Sequence, residues 1–151
     1  MFFKILPIKT GIVLILSILR ISTGFSQHQH ATQMEKKPDP LSFAPVFATM
    51  LTDPELKDYK MESSLMTVAP GGQDTVAHRH DAELFGYIVE GKVEIGLDKG
   101  VPKTYTAGQM FYEKRNVMHS LTRNPDPTTP ASVLIIFIIK NGRPGYTKEY
   151  K

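Results

Sequence analysis

Between Lys92 and Asp98 polar and apolar residues alternate without a break (Lys, Val, Glu, Ile, Gly, Leu, Asp). Successive side chains of a strand point to opposite faces, so this period of two describes a strand with one face in a core and the other in water. Comparable short apolar or alternating stretches predict strands over residues 46–51, 59–68, 84–89, 104–106, 110–112 and 118–122. Turn chemistry separates them: Asp53-Pro54, Pro70-Gly71-Gly72, Glu90-Gly91, Lys99-Gly100, Ala107-Gly108 and Lys114-Arg115-Asn116. Residues 124–130 hold three prolines and read as a loop. Residues 133–139 are an unbroken, mostly β-branched run, which predicts a strand buried on both faces. About nine short strands with almost no helical period define an all-β chain, an antiparallel sandwich or barrel of the jelly-roll kind.

The chain has 151 residues and no cysteine, enough for one core but with no disulfide framework to support it. Its beginning does not share the strand texture. Lys4 and Lys9 precede a compact apolar run from Gly11 to Leu19, and small residues follow at 22–26. This is the three-part layout of a secretory signal peptide, with cleavage after Ser26 or Gln27; retention as an uncleaved anchor is the alternative. The organisation expected is a signal peptide at 1–26, a flexible linker without packed structure at 27–42, a barrel domain at 43–140 and a polar tail at 141–151. Export makes the mature protein secreted or periplasmic, with no stable membrane association.

Loss of the leader changes the charge picture. The formal +3 of the whole chain contains Lys4, Lys9 and Arg20; without them 15 Lys and Arg stand against 15 Asp and Glu. A near-neutral protein with no basic patch gives no ground for a nucleic-acid partner. A small-molecule partner fits better.

Chemistry concentrates in Gly71-Gly72-Gln73-Asp74-Thr75-Val76-Ala77-His78-Arg79-His80. On a strand His78 and His80 share a face and lie roughly 7 Å apart, within reach of one ion. His119 is a third histidine in another strand-like segment, and His28 and His30 in the linker are the other two. The linker pair has no strand pattern around it and is read as no more than an adventitious metal binder. Three neutral imidazoles with an open position describe a reactive rather than a structural site, for one divalent transition metal: Fe, Mn, Ni, Zn or Cu.

The stretch from Gly72 through His78-Arg79-His80 to Gly91 resembles the first motif of the cupins, G-x5-H-x-H-x3/4-E-x6-G. Gly108 to His119 resembles the second, G-x5-P-x-G-x2-H-x3-N. The resemblance implies a single cupin jelly-roll barrel, of the small bacterial single-domain kind, in which His78, His80 and His119 hold a metal. Two departures stand out. The position of the family's glutamate falls on Leu84, while Glu83 sits one place early and faces away by alternation unless a bulge near Asp81-Ala82 turns it inward. Lys114 and Asn116 replace the usual Pro and Gly, Asn being a residue that tolerates a left-handed turn. Glu83 is the first candidate for a fourth ligand and Glu113 the second; the alternatives are a solvent-facing carboxylate and a rim salt bridge. Glu83, Glu113 and Tyr87 are the candidates for moving a proton, Tyr87 also being a candidate for core packing. Gly86 shares its face with Leu84 and marks either room for a substrate beside the metal or a bend in the barrel.

The resemblance implies a metal-dependent enzyme of dioxygenase or isomerase type on a small organic substrate. The competing expectation is a non-catalytic module that binds a metal or small molecule. A cupin sensor domain is disfavoured, because export separates the protein from DNA and no helix-turn-helix pattern is present. Pairing of two copies into a homodimer is implied by the resemblance alone, with the first strand, 46–51, as the segment for exchange.

Overall fold

Alternation along the chain becomes pairing between strands. The computed structural model describes residues 39–150; the leader, the His28/His30 pair and most of the linker lie outside the described residues. In chain order the strands are β1 (Leu41–Met50), β2 (Tyr59–Val68), β3 (Gln73–Asp74), β4 (His78–Arg79), β5 (Glu83–Glu90), β6 (Lys92–Leu97), β7 (Lys103–Thr106), β8 (Met110–Glu113), β9 (Met118–Arg123), β10 (Ala131–Lys140) and β11 (Thr147–Lys148). One short 3-10 turn, Pro54–Leu56, follows Asp53, whose carboxylate accepts a bond from the Glu55 amide at 2.9 Å. The strands form two antiparallel sheets, β1-β2-β10-β5-β8 and β11-β4-β9-β6-β7, with β3 also paired to β9. The described residues form an all-β jelly-roll barrel.

The core lies between the sheets. Register places Val133, Ile135 and Phe137 opposite Ile88, Gly86 and Leu84, and Leu84 and Gly86 opposite Glu113 and Phe111. One face of the first sheet therefore carries Leu84, Ile88, Phe111, Val133 and Ile135 inward, against Val93 and Ile95 of β6. The chain crosses between the sheets at Gly91, whose φ of 75° suits a residue without a β-carbon. A Cβ there would also meet the Ala131 backbone at 3.0 Å.

The 133–139 run departs from the expectation of double burial. Val133, Ile135 and Ile139 are buried, whereas Leu134, Ile136 and Ile138 on the outer face are half-covered. The second sheet covers only one face of the first, so the outer apolar residues of β10 cover one another and their neighbours in β2 and β5.

Two segments extend beyond their expected limits. Strand β1 starts at Leu41 rather than 46, carries a register shift between Pro45 and Phe47, and pairs with β2 of its own chain. It lies at the sheet edge, where proline's missing N–H is tolerated. The stretch expected as a polar tail contributes β11, paired to β4 at Thr147↔Arg79 and Lys148↔His78. No helix among the described residues is long and apolar enough to cross a membrane.

Asn124, 1% exposed, ties the proline loop to the barrel. Its side-chain amide donates to the carbonyls of Val68, Ala69 and Thr129, and its Oδ1 accepts from the Asp126 amide at 3.0 Å. Asn124→Ala leaves buried carbonyls unpaired and is expected to destabilise the fold by about 2–4 kcal/mol, read as a lower urea midpoint with unchanged slope.

Candidate metal centre

Strand β4 is two residues long, and its partner is β9, with His78 directly opposite His119. The His78 and His119 rings stack at 4.8 Å, and His80 stands edge-on to His78 at 4.8 Å. His80 and His119 are 6.4 Å apart. The ring of His119 is turned inward and 6% exposed, with no side chain packed between it and His78. The second sheet thus brings all three expected histidines to one place.

The first sheet brings one carboxylate to the cluster, that of Glu113. The last residue of β8, Glu113 is 2% exposed and aligned with Leu84, the position where the family pattern expects its glutamate. Its Oε1 accepts from His119 Nδ1 at 2.8 Å, and its Oε2 stands 4.0 Å from His80 Nε2. Among the described residues Oε2 is the buried side-chain oxygen left without a hydrogen-bond partner. An unpaired buried carboxylate oxygen is costly, which makes it a mark of a site rather than of a stable core.

Glu83 and Tyr87 belong elsewhere. Leu84, Gly86 and Ile88 take the inner face of β5, so Glu83, Phe85 and Tyr87 point outward, and no bulge inverts them. Glu83 pairs with the Tyr112 hydroxyl on the outer surface. Tyr87 is 38% exposed beside Met110 and Leu134. Neither reaches the histidines. Gly86 serves packing: a Cβ there would lie 2.1 Å from the Phe111 ring, which occupies the space. Asn116 adopts φ 60°, the left-handed turn expected of it.

The C-terminal segment is the part of the site that sequence reasoning missed. Tyr146 stacks on His78 at 4.5 Å, and the Gly145 carbonyl accepts from His80 Nδ1 at 2.6 Å. Arg79, between the two histidines, pairs with Glu149 and donates to the Asn116 carbonyl at 2.6 Å. The sequence reads there as a polar tail, because Pro144-Gly145 is a local break signal. Only the β-prone pair Tyr146-Thr147 hinted otherwise, too short a signal to call a strand.

Hydrogen bonding fixes the tautomer of two of the rings. His78 Nδ1 donates to the Val76 carbonyl at 2.7 Å and His80 Nδ1 to that of Gly145. A carbonyl only accepts, so in both neutral rings the proton is on Nδ1 and the Nε2 lone pair is free. Burial holds both imidazoles below the ordinary value for histidine, against the opposing pull of those carbonyls. They are neutral at neutral pH, as ligation requires. His119 is more committed: Nδ1 bonds Glu113 and Nε2 meets the Thr122 hydroxyl at 2.8 Å.

The four side chains are neighbours that have not closed round a common point, and no three His, Asp or Glu among the described residues form a finished ligand cage. Their donor chemistry nevertheless suits a divalent transition metal. His78 Nε2, His80 Nε2 and Glu113 Oε2 carry free lone pairs, and a turn of the Thr122 hydroxyl frees His119 Nε2.

Beside the cluster is a cavity of about 170 Å³. Its walls are Leu41, Phe43, Met66, Leu84, Ile95, Phe111, Ile135 and Phe137, with Asp74, Thr122 and Tyr146 joining the cluster residues.

A jelly-roll barrel with a histidine cluster between its sheets defines a double-stranded β-helix protein. Residues 64–137 match the family model of the cupin domain. The chain belongs to the cupins, as a small cupin with one barrel among the described residues. It is similar in fold to an uncharacterized conserved protein with a double-stranded β-helix domain from Klebsiella pneumoniae (17% identity, 76% of this chain and 89% of that one, TM-score 0.58). KdgF from Halomonas sp. is also similar (20%, 70% and 84%, TM-score 0.53). So is an oxalate oxidase (21%, 74% and 56%, TM-score 0.55). At these identities the likeness is one of fold. No curated protein matches the sequence.

Proposed function

We propose that this cupin is a metal-dependent enzyme acting on a small organic substrate, with His78, His80, His119 and Glu113 as the metal-holding set. The observation that carries the reading is Glu113 Oε2, buried without a partner and facing a histidine whose own Nε2 is free. Such an arrangement weakens the fold unless a further group completes it. A divalent metal held there supplies Lewis acidity toward the oxygen atoms of a substrate or toward dioxygen.

The chain's own residues do the rest. The Val76 and Gly145 carbonyls orient the two imidazoles of the H-R-H segment. Glu113 Oε2 would serve the metal, and the neighbouring His119 Nδ1–H steadies the carboxylate through Oε1. The apolar walls lower the polarity beside the cluster, which strengthens charge interactions there. Oxidoreductase and isomerase chemistry both suit these parts. The leader pattern of residues 1–26 supports export.

One observation favours a second reading, a non-catalytic binding module: both nitrogens of His119 already have protein partners. Turnover by the metal-loaded protein on a panel of diketones, flavonols and unsaturated uronates separates the two. The enzyme reading expects activity on a panel member and loss of at least about 100-fold in His119→Ala. Full metal loading with no turnover on any of them favours the binding module.

A further inference from the structure

The cavity's chemistry narrows what can enter it. Resting on the metal reading above, we propose that the site takes a small, largely apolar ligand bearing neutral oxygen donors, of the size and kind of a β-dicarbonyl or a simple phenol, and rejects carboxylates, sugar acids among them. Three observations carry this. The volume, about 170 Å³, is close to that of an engineered apolar cavity of about 150 Å³ that binds benzene. The walls away from the cluster are carbon: Leu41, Met66, Leu84, Phe111, Ile135 and Phe137. They offer no donors to sugar hydroxyls, each of which would lose its hydrogen bonds to water on entry.

The third observation is charge. Among the described residues no lysine or arginine lines the cavity, whereas Asp74 and Glu113 do. Those two carboxylates match the charge of a divalent ion and leave no positive surplus. An anionic ligand would therefore bring an uncompensated charge into an apolar space. A neutral ligand brings none. The nearby arginines among the described residues are engaged elsewhere: Arg79 with Glu149, Arg115 and Arg143 with Asp81, and Arg123 with Glu94.

Two matched pairs of probes test the proposal. Metal-free protein is titrated with toluene and with benzoate, which share a ring and differ by a carboxylate, and methyl NMR shifts at Met66, Leu84 and Ile135 are followed. Metal-loaded protein, its metal content checked before and after, is titrated calorimetrically with acetylacetone and with malonate, which present similar chelating oxygens at different charge. Toluene and acetylacetone are each expected to bind at least about tenfold tighter than their partner. Malonate or benzoate binding as tightly as its counterpart, with metal loaded normally, overturns the ligand class and leaves the metal reading standing. Failure to load metal, with toluene still preferred at those methyl groups, sinks the metal reading and supports the apolar class.

Discussion

Glu113→Gln is expected to lower affinity for a divalent transition metal by at least about 10- to 100-fold and, in the metal-free protein at pH 8, to leave the fold as stable as before or more stable by about 1 kcal/mol. The opposite signs come from one atom. Glutamine keeps an oxygen to accept from His119 Nδ1, so that 2.8 Å bond survives. What disappears is a buried negative charge whose second oxygen has no partner. A purely structural carboxylate behaves the other way, its loss weakening the fold. Glu83→Gln is the matched control, because Glu83 stands on the outer face with Tyr112 and should leave affinity unchanged. Competition against a chelating dye, with urea denaturation of each variant, reads both quantities. Equal affinity losses in the two variants would remove Glu113 from its assigned place.

The second large effect is expected at Gly86. An added methyl group would lie 2.1 Å from Phe111 Cζ and 2.2 Å from its Cε1, far inside contact distance. The ring cannot stay, and it lines the cavity, so its open direction is into that space. Gly86→Ala is expected to cost about 1–3 kcal/mol of stability through overpacking and to abolish toluene binding, with metal affinity changed less than about threefold. Phe111→Leu in the same chain should restore most of the stability, the sign of direct coupling between the two sites. Denaturation midpoints and the NMR titration decide it. Unchanged stability in Gly86→Ala would show that the ring does not hold the position described.

The barrel and three of the four cluster residues were legible because strand alternation and turn residues are local signals. His78 and His80 share a face by period alone, and His119 lies opposite His78 once β4 and β9 pair. The acid was not settled by the same reasoning. Glu113 and Leu84 become neighbours only through the β5–β8 register, a long-range fact absent from either segment. Alternation did place Glu83 outward; only the bulge held open for it was wrong. The C-terminal segment escaped because Pro144-Gly145 signals a break locally, while Tyr146 and the Gly145 carbonyl take their roles from the histidines they meet. Double burial of residues 133–139 failed for a related reason: an apolar run reports that its residues avoid water, not which neighbour covers them.

The most direct test is the metal content of the purified protein after loading and desalting, set beside that of His78→Ala/His80→Ala. About one divalent ion per chain in the parent, falling below about a tenth in the double variant, is the expected result. A folded parent chain that retains no ion under any loading condition would contradict it, and the three histidines would then be a hydrogen-bonded cluster inside a cupin barrel.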